Sequence, residues 1–194
     1  MRNTWRHLLR FLVFICIGLV IAGIGETQFS VFIRSDIPNL IGSIAFNTVY
    51  LILAGFVSWL VVRGLGDGWV TILLQVAIFG TTGLMIEWFL IGNSPWGNPL
   101  ASQTGMFAFW SAMVVVPFVY LRPDPRLAPL KKRIFVAVLV YAYAAALIQL
   151  IPNPTVQFVY HIWSVILGYT ALVLFTTVGY IRVVPDPDKA RQEL

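Results

Sequence analysis

Apolar residues fall into six long blocks, at 8–25, 40–62, 69–92, 105–121, 134–151 and 158–181. None shows the two-residue alternation of a barrel strand. Lipid admits only helices or closed barrels as spanning structures, because every backbone polar group must be paired internally. Each block is close to the ~20 residues that a spanning helix needs. The pattern predicts an all-α polytopic membrane helical bundle of six transmembrane helices, with one integral membrane domain over residues 1–194. Breakers mark the block ends: Pro38, Gly64 to Gly68, Pro95 with Pro99, Pro123 with Pro125, Pro152 with Pro154, and Pro185 with Pro187.

The positions of the cations give an orientation. Twelve of the thirteen Lys and Arg residues fall on one side of a six-span arrangement: Arg2, Arg6 and Arg10 at the start, Arg63 after the second block, five residues from Arg122 to Arg133, and Arg182, Lys189 and Arg191 at the end. Only Arg34 falls on the other. Cytoplasmic loops hold the excess of Lys and Arg, so the expected topology is N-in/C-in, in the cytoplasmic (inner) membrane. A second reading of the first block is a cleaved leader, with basic residues, an apolar stretch and small residues at Gly23 and Gly25. It would leave five spans and the same orientation.

Composition agrees with this and excludes several functions. The chain is 59% hydrophobic and 11% charged, against roughly 25% charged in a soluble domain. The gaps are too short for a soluble domain, and no phosphate-binding loop of the G-x-x-x-x-G-K-[ST] kind is present. One cysteine, Cys16, builds neither a disulfide nor a thiol redox pair. The two histidines, His7 and His161, fall on opposite sides, so no metal site and no cofactor are expected. The basic loop RPDPRLAPLKKR, 122–133, suits topology and anionic headgroups. It is too short and proline-broken to bind nucleic acid. The expected partners are membrane lipids and other membrane subunits.

The even-numbered blocks end alike, with Trp59 and Arg63, Tyr120 and Arg122, and Tyr180 and Arg182. Interface chemistry explains this, since Trp, Tyr and Arg gather at that depth; three tandem hairpins are the alternative. Most polar residues near the spans lie toward the outer side: Glu26, Glu87, Gln103, Gln149, Gln157 and His161. Asn47 and Gln75 lie deeper. At ~100° per residue, Gly80, Gly83 and Glu87 share a face, as do His161, Ser164 and Gly168. Gln149 shares one with Ala142, Ala145 and Ala146, and Asn47 with Ala54 and Ser58. Small residues mark helix contacts, so these polar groups are expected to point into the bundle.

The candidate catalytic residues are Glu87 and His161, expected to meet where the third helix touches the sixth, with Gln149 beside them. Gln149, Trp88, Asn47 and Trp163 are candidate ligand-binding residues. Trp88, Trp96, Trp110 and Trp163 are expected in the outer aromatic belt. The segment QFSVFIR, 28–34, is expected to lie flat at the interface, and the loop NSPWGNP, 93–99, to cover an outer pocket. The functional expectation is an accessory or lipid- or hydrophobic-ligand-binding protein with a polar pocket toward the outer leaflet. Two alternatives stand beside it. One is a membrane enzyme using Glu87 as general acid on a lipid or isoprenoid. The other is a small-solute or proton-coupled transporter.

Overall fold

The computed structural model describes residues 2–94, 96 and 100–184, with side chains from residue 5. Six helices long and apolar enough to cross a membrane are present among these residues: α1 (Arg2–Thr27), α2 (Ile37–Leu65), α3 (Trp69–Ile86), α4 (Leu100–Tyr120), α5 (Ala128–Ala146) and α6 (Pro154–Val183). The chain is a multi-pass membrane protein with an all-α bundle fold. Large apolar side chains such as Leu53, Phe56, Val140 and Leu167 are exposed, as expected where hydrocarbon takes the place of water.

The helices pack around α4. Its residues from Ser111 to Val119 are all buried, and it touches each of the other five helices. Small residues set the spacing. A β-carbon at Gly105 would lie 3.3 Å from the Ile166 backbone, so α4 and α6 approach closely there. Pro117 lies inside α4. Without an N–H it cannot bond the Met113 carbonyl four residues back. Gly18 of α1 packs against that carbonyl, where a β-carbon would lie 2.9 Å from the oxygen.

Three odd-numbered helices leave α-geometry at the end opposite the basic loops. A π-helical turn, Gln28–Ile33, extends α1, and another, Glu87–Ile91, extends α3. A tight 3₁₀ turn, Leu147–Leu150, ends α5. The segment 28–34 therefore does not lie flat at an interface: it continues the first helix and buries Gln28 and Ser30. Asp36 then caps α2, accepting from Asn39 N at 2.9 Å, while Asn39 Nδ2 donates to Ser30 Oγ at 2.7 Å. Asn153 caps α6 through the backbone N–H groups of Thr155 and Val156.

At the basic end, Arg122 pairs with Asp67 at 2.5 Å and stacks on Phe118, 4.3 Å from the ring centre. Arg63 stacks on Trp59 at 5.2 Å. The common ending of the even helices is therefore not one repeated contact. Tyr180 is buried, Tyr120 is exposed, and Arg122 chooses Phe118 over Tyr120. The triplet Pro185 to Pro187 lies outside the described residues. The side chain of Arg126, then its backbone N–H, holds the Asp124 carboxyl below the ordinary carboxylate range.

Candidate functional site

The end of the bundle away from the basic loops carries a cluster of polar side chains. Glu87 begins the π turn that ends α3, and it is buried. Its Oε1 accepts from Trp110 Nε1 at 3.0 Å, and its Oε2 accepts from Asn93 Nδ2 at 2.7 Å. The Glu87 carbonyl also takes the Asn93 backbone N–H at 2.8 Å. The π turn thus folds Asn93 back over the carboxylate. Gly80 and Gly83 lie on the same face and make room: a β-carbon at Gly80 would overlap the Phe107 ring, and one at Gly83 the Trp110 indole. The expected glycine–glutamate face is the one that meets α4.

Trp110 is the centre of this arrangement, not part of an aromatic belt. It is 2% exposed. Tyr50 meets it edge-on at 4.6 Å and Phe109 at 5.3 Å. The reason for the difference is where α4 starts. The apolar block begins near residue 105, but the helix begins at Leu100. Ten residues of helix rise roughly 15 Å, which brings Trp110 to mid-bundle. Trp96 and Trp163 are exposed, as a belt requires. Trp88 is half-buried and donates to Gln103 Oε1 at 2.7 Å.

A second carboxylate joins the cluster. Glu26 accepts a hydrogen bond from Asn47 Nδ2 at 3.3 Å, and Ser43 is a second polar neighbour. Asn47 is buried with Ala54 and Ser58 on one face of α2. Deeper in, Ser58 donates to Gln75 Oε1 at 3.1 Å.

His161 belongs to a different group. Its Nδ1 lies 2.8 Å from Gln28 Oε1, and its ring stacks on Phe29 at 5.3 Å. Gln28 Nε2 donates to the Ala145 carbonyl at 3.1 Å, and Arg34 sits over the other ring, Phe29, at 4.2 Å. Among the described residues no hydrogen bond or ion pair joins Glu87 to His161, so the expected pairing is corrected. The cause is the continuation of α1 to Ile33, which puts Gln28 in reach of the imidazole.

Gln149 is also corrected. It is exposed, not turned inward with Ala145. The 100° phase holds only along an α-helix, and the chain tightens to a 3₁₀ turn at Leu147. The polar group facing the bundle on this side is Gln157 of α6, whose Nε2 donates to the Ile151 carbonyl at 2.7 Å. Of the loop 93–99, Asn93, Ser94 and Trp96 are described; the expected cover over a pocket lies mostly outside the described residues.

Tyr169 was not foreseen among the polar groups. Fully buried on α6, its hydroxyl donates to the Ile21 carbonyl at 2.8 Å and accepts from Gly25 N at 3.0 Å. These two backbone groups are the donor and acceptor of one i→i−4 rung of α1, and the phenol oxygen bonds to both. The small residue at Gly25 is the sequence signal, since a β-carbon there would lie 2.9 Å from the hydroxyl. That rung stands one turn before the π turn of Gln28, and Glu26 lies between.

The arrangement is a set of paired polar groups. Glu87 spends both oxygens on neutral donors, His161 one nitrogen on an amide, and Glu26 faces a hydroxyl and an amide. Among the described residues no group of three His, Cys, Asp or Glu side chains has metal-binding geometry. No family model matches the chain, and no curated protein or solved structure shows significant similarity to it.

Proposed function

We propose that this chain is an accessory membrane protein, a packed six-helix bundle that holds lipid or partner helices against its outer surface. The observation that carries this reading is the Trp110–Glu87 hydrogen bond. It ties the buried acid that follows α3 to the helix that fills the axis of the bundle. A channel or carrier needs a wettable path, and here α4 occupies the place where one would run. A general acid must present a proton to a substrate, and Glu87 presents its oxygens to an indole and an amide. The outer polar cluster then joins α1, α2, α3 and α4 by interhelical hydrogen bonds, a use of polar groups common within membranes. The excess of Lys and Arg at the basic end supports a cytoplasmic position for it.

Reaction with a hydrophobic carbodiimide tests this. That reagent attacks protonated, accessible carboxyl groups within a membrane. In the purified protein, Glu87 should stay unmodified by mass spectrometry, with Glu87→Gln as the blank. Rapid modification of Glu87 would overturn the reading and restore the acid. One observation favours a proton-linked transporter instead: two carboxyl side chains, Glu26 and Glu87, lie at the same end of the bundle. Proton flux into dye-loaded proteoliposomes separates the two. The accessory reading expects no flux above that of empty vesicles.

A further inference from the structure

A groove of about 260 Å³ lies between the start of α5 and the end of α6, at the basic end of the bundle. Arg126, Arg133 and Arg182 border it, and Phe175, Val178 and Gly179 form its apolar wall and floor. The floor is built: a β-carbon at Gly179 would overlap Leu130, so the glycine lets α5 and α6 close beneath the groove. Arg126 is partly committed, since Asp124 binds its Nε and Nη2 at 3.1 and 2.8 Å. Arg133 and Arg182 are exposed. Three arginines thus line a cleft whose other walls are hydrocarbon.

We propose that this groove is a binding site for one anionic phospholipid, with the phosphate on the three arginines and an acyl chain along Phe175 and Val178. Arginine suits phosphate because its planar fork donates two parallel hydrogen bonds to two oxygens. The apolar wall distinguishes a lipid from a soluble anion, which would have no use for it. Basic pockets between spanning helices are known to hold anionic headgroups. The site is separate from the Glu87 cluster, at the other end of the bundle, and does not depend on the function proposed above.

Native mass spectrometry of the full-length protein in neutral detergent tests this, with phosphatidylglycerol or phosphatidylcholine added after delipidation. The wild type should retain one phosphatidylglycerol and release phosphatidylcholine. Each arginine is worth roughly fivefold at headgroup depth, so R126Q/R133Q/R182Q should weaken retention about a hundredfold. A triple variant elsewhere at the same end, R6Q/R10Q/R63Q, should retain the lipid. Val178→Trp fills the groove with every charge intact and should also release it. Equal retention by both triple variants, indifference to Val178→Trp, or displacement by millimolar inorganic phosphate would each overturn the proposal. So would lipid uptake seen only after residues 185–194 are deleted, because the groove would then belong to the chain's own tail with Asp186, Asp188 and Glu193.

Discussion

Gly83 and Trp110 occupy one space: the glycine has no side chain where the indole lies, and the indole N–H reaches Glu87 one turn further along α3. The chemistry of the cluster follows from that pairing. Tryptophan offers one donor and no acceptor, so it satisfies a carboxylate oxygen without competing for a proton. The remaining oxygen takes Asn93, which the π turn returns to it. The same turn type at the end of α1 buries Gln28 and lets it meet His161. Two π turns, on two helices, each open on a buried polar side chain, Gln28 and Glu87.

Replacing Gly83 by Ala should therefore do more harm than replacing Trp110 by Phe. The added methyl overlaps the indole, and forced overpacking costs about 1–3 kcal/mol. Trp110→Phe keeps most of the ring and leaves one oxygen of Glu87 unpaired. Interhelical hydrogen bonds in membranes average about 0.6 kcal/mol, and an orphaned buried acceptor costs about 1–3 kcal/mol, so about 1 kcal/mol is expected. Denaturation of the two variants in mixed micelles measures both. A neutral Gly83→Ala would mean that α3 and α4 do not pack as described.

His161 should titrate independently of Glu87. The imidazole faces Gln28 and Phe29, so Glu87→Gln should leave its NMR titration midpoint where it was. Gln28→Leu removes the Nδ1 partner and should move it. If Glu87→Gln moved the midpoint and Gln28→Leu did not, the two polar groups would have been assigned to the wrong neighbours.

The six spans were legible because their signal is length and apolarity, which lipid enforces on every residue of a span. The face of Gly80, Gly83 and Glu87 was legible for a related reason: a straight α-helix keeps phase over seven residues. What was not legible is where phase is lost. Gln28 and Gln149 sit on π and 3₁₀ turns, and no local propensity distinguishes those from α at the end of an apolar run. The depth of Trp110 was missed because ASQTG, 101–105, is polar enough to look like a loop. In the fold it is helical, with Gln103 turned toward Trp88. Tyr169 reads in sequence as one more aromatic of a span, and only a tertiary contact makes it a partner for the α1 backbone.

The proline inside α4 gives a third expectation. Gly18 lies against Leu51 side-chain atoms at 2.6 and 2.8 Å from a would-be β-carbon, and against the Met113 carbonyl at 2.9 Å. Leucine can turn aside; the carbonyl cannot. Gly18→Ala should cost about 1–3 kcal/mol. Pro117→Ala restores a donor for Met113 and draws that carbonyl back into α4. In the Pro117→Ala background the cost of Gly18→Ala should fall, a coupling that a double-mutant cycle reads directly. Additive costs would mean that Pro117 does not shape the α1–α4 contact.

Tyr169→Phe separates hydroxyl from ring. The ring packs edge-on between Phe109 and Tyr141, each about 5.0 Å away, and the variant keeps it. What is lost is the hydroxyl that accepts from Gly25 N and donates to the Ile21 carbonyl. Those two backbone groups can bond each other once the phenol oxygen has gone, so the expected loss is only about 0.5–1.5 kcal/mol, the net worth of a hydrogen bond. The geometric consequence is larger. Without the hydroxyl that holds it to α6, α1 should shift at this turn, and Glu26 and Gln28 should move relative to Asn47 and His161. The His161 titration should therefore shift in Tyr169→Phe although Tyr169 is not among the hydrogen-bond partners of His161. Gly25→Ala, which pushes the hydroxyl out by steric contact, should produce the same shift at a greater cost in stability. An unchanged His161 midpoint in both variants would show that the Tyr169 hydroxyl does not set the path of α1 into its π turn.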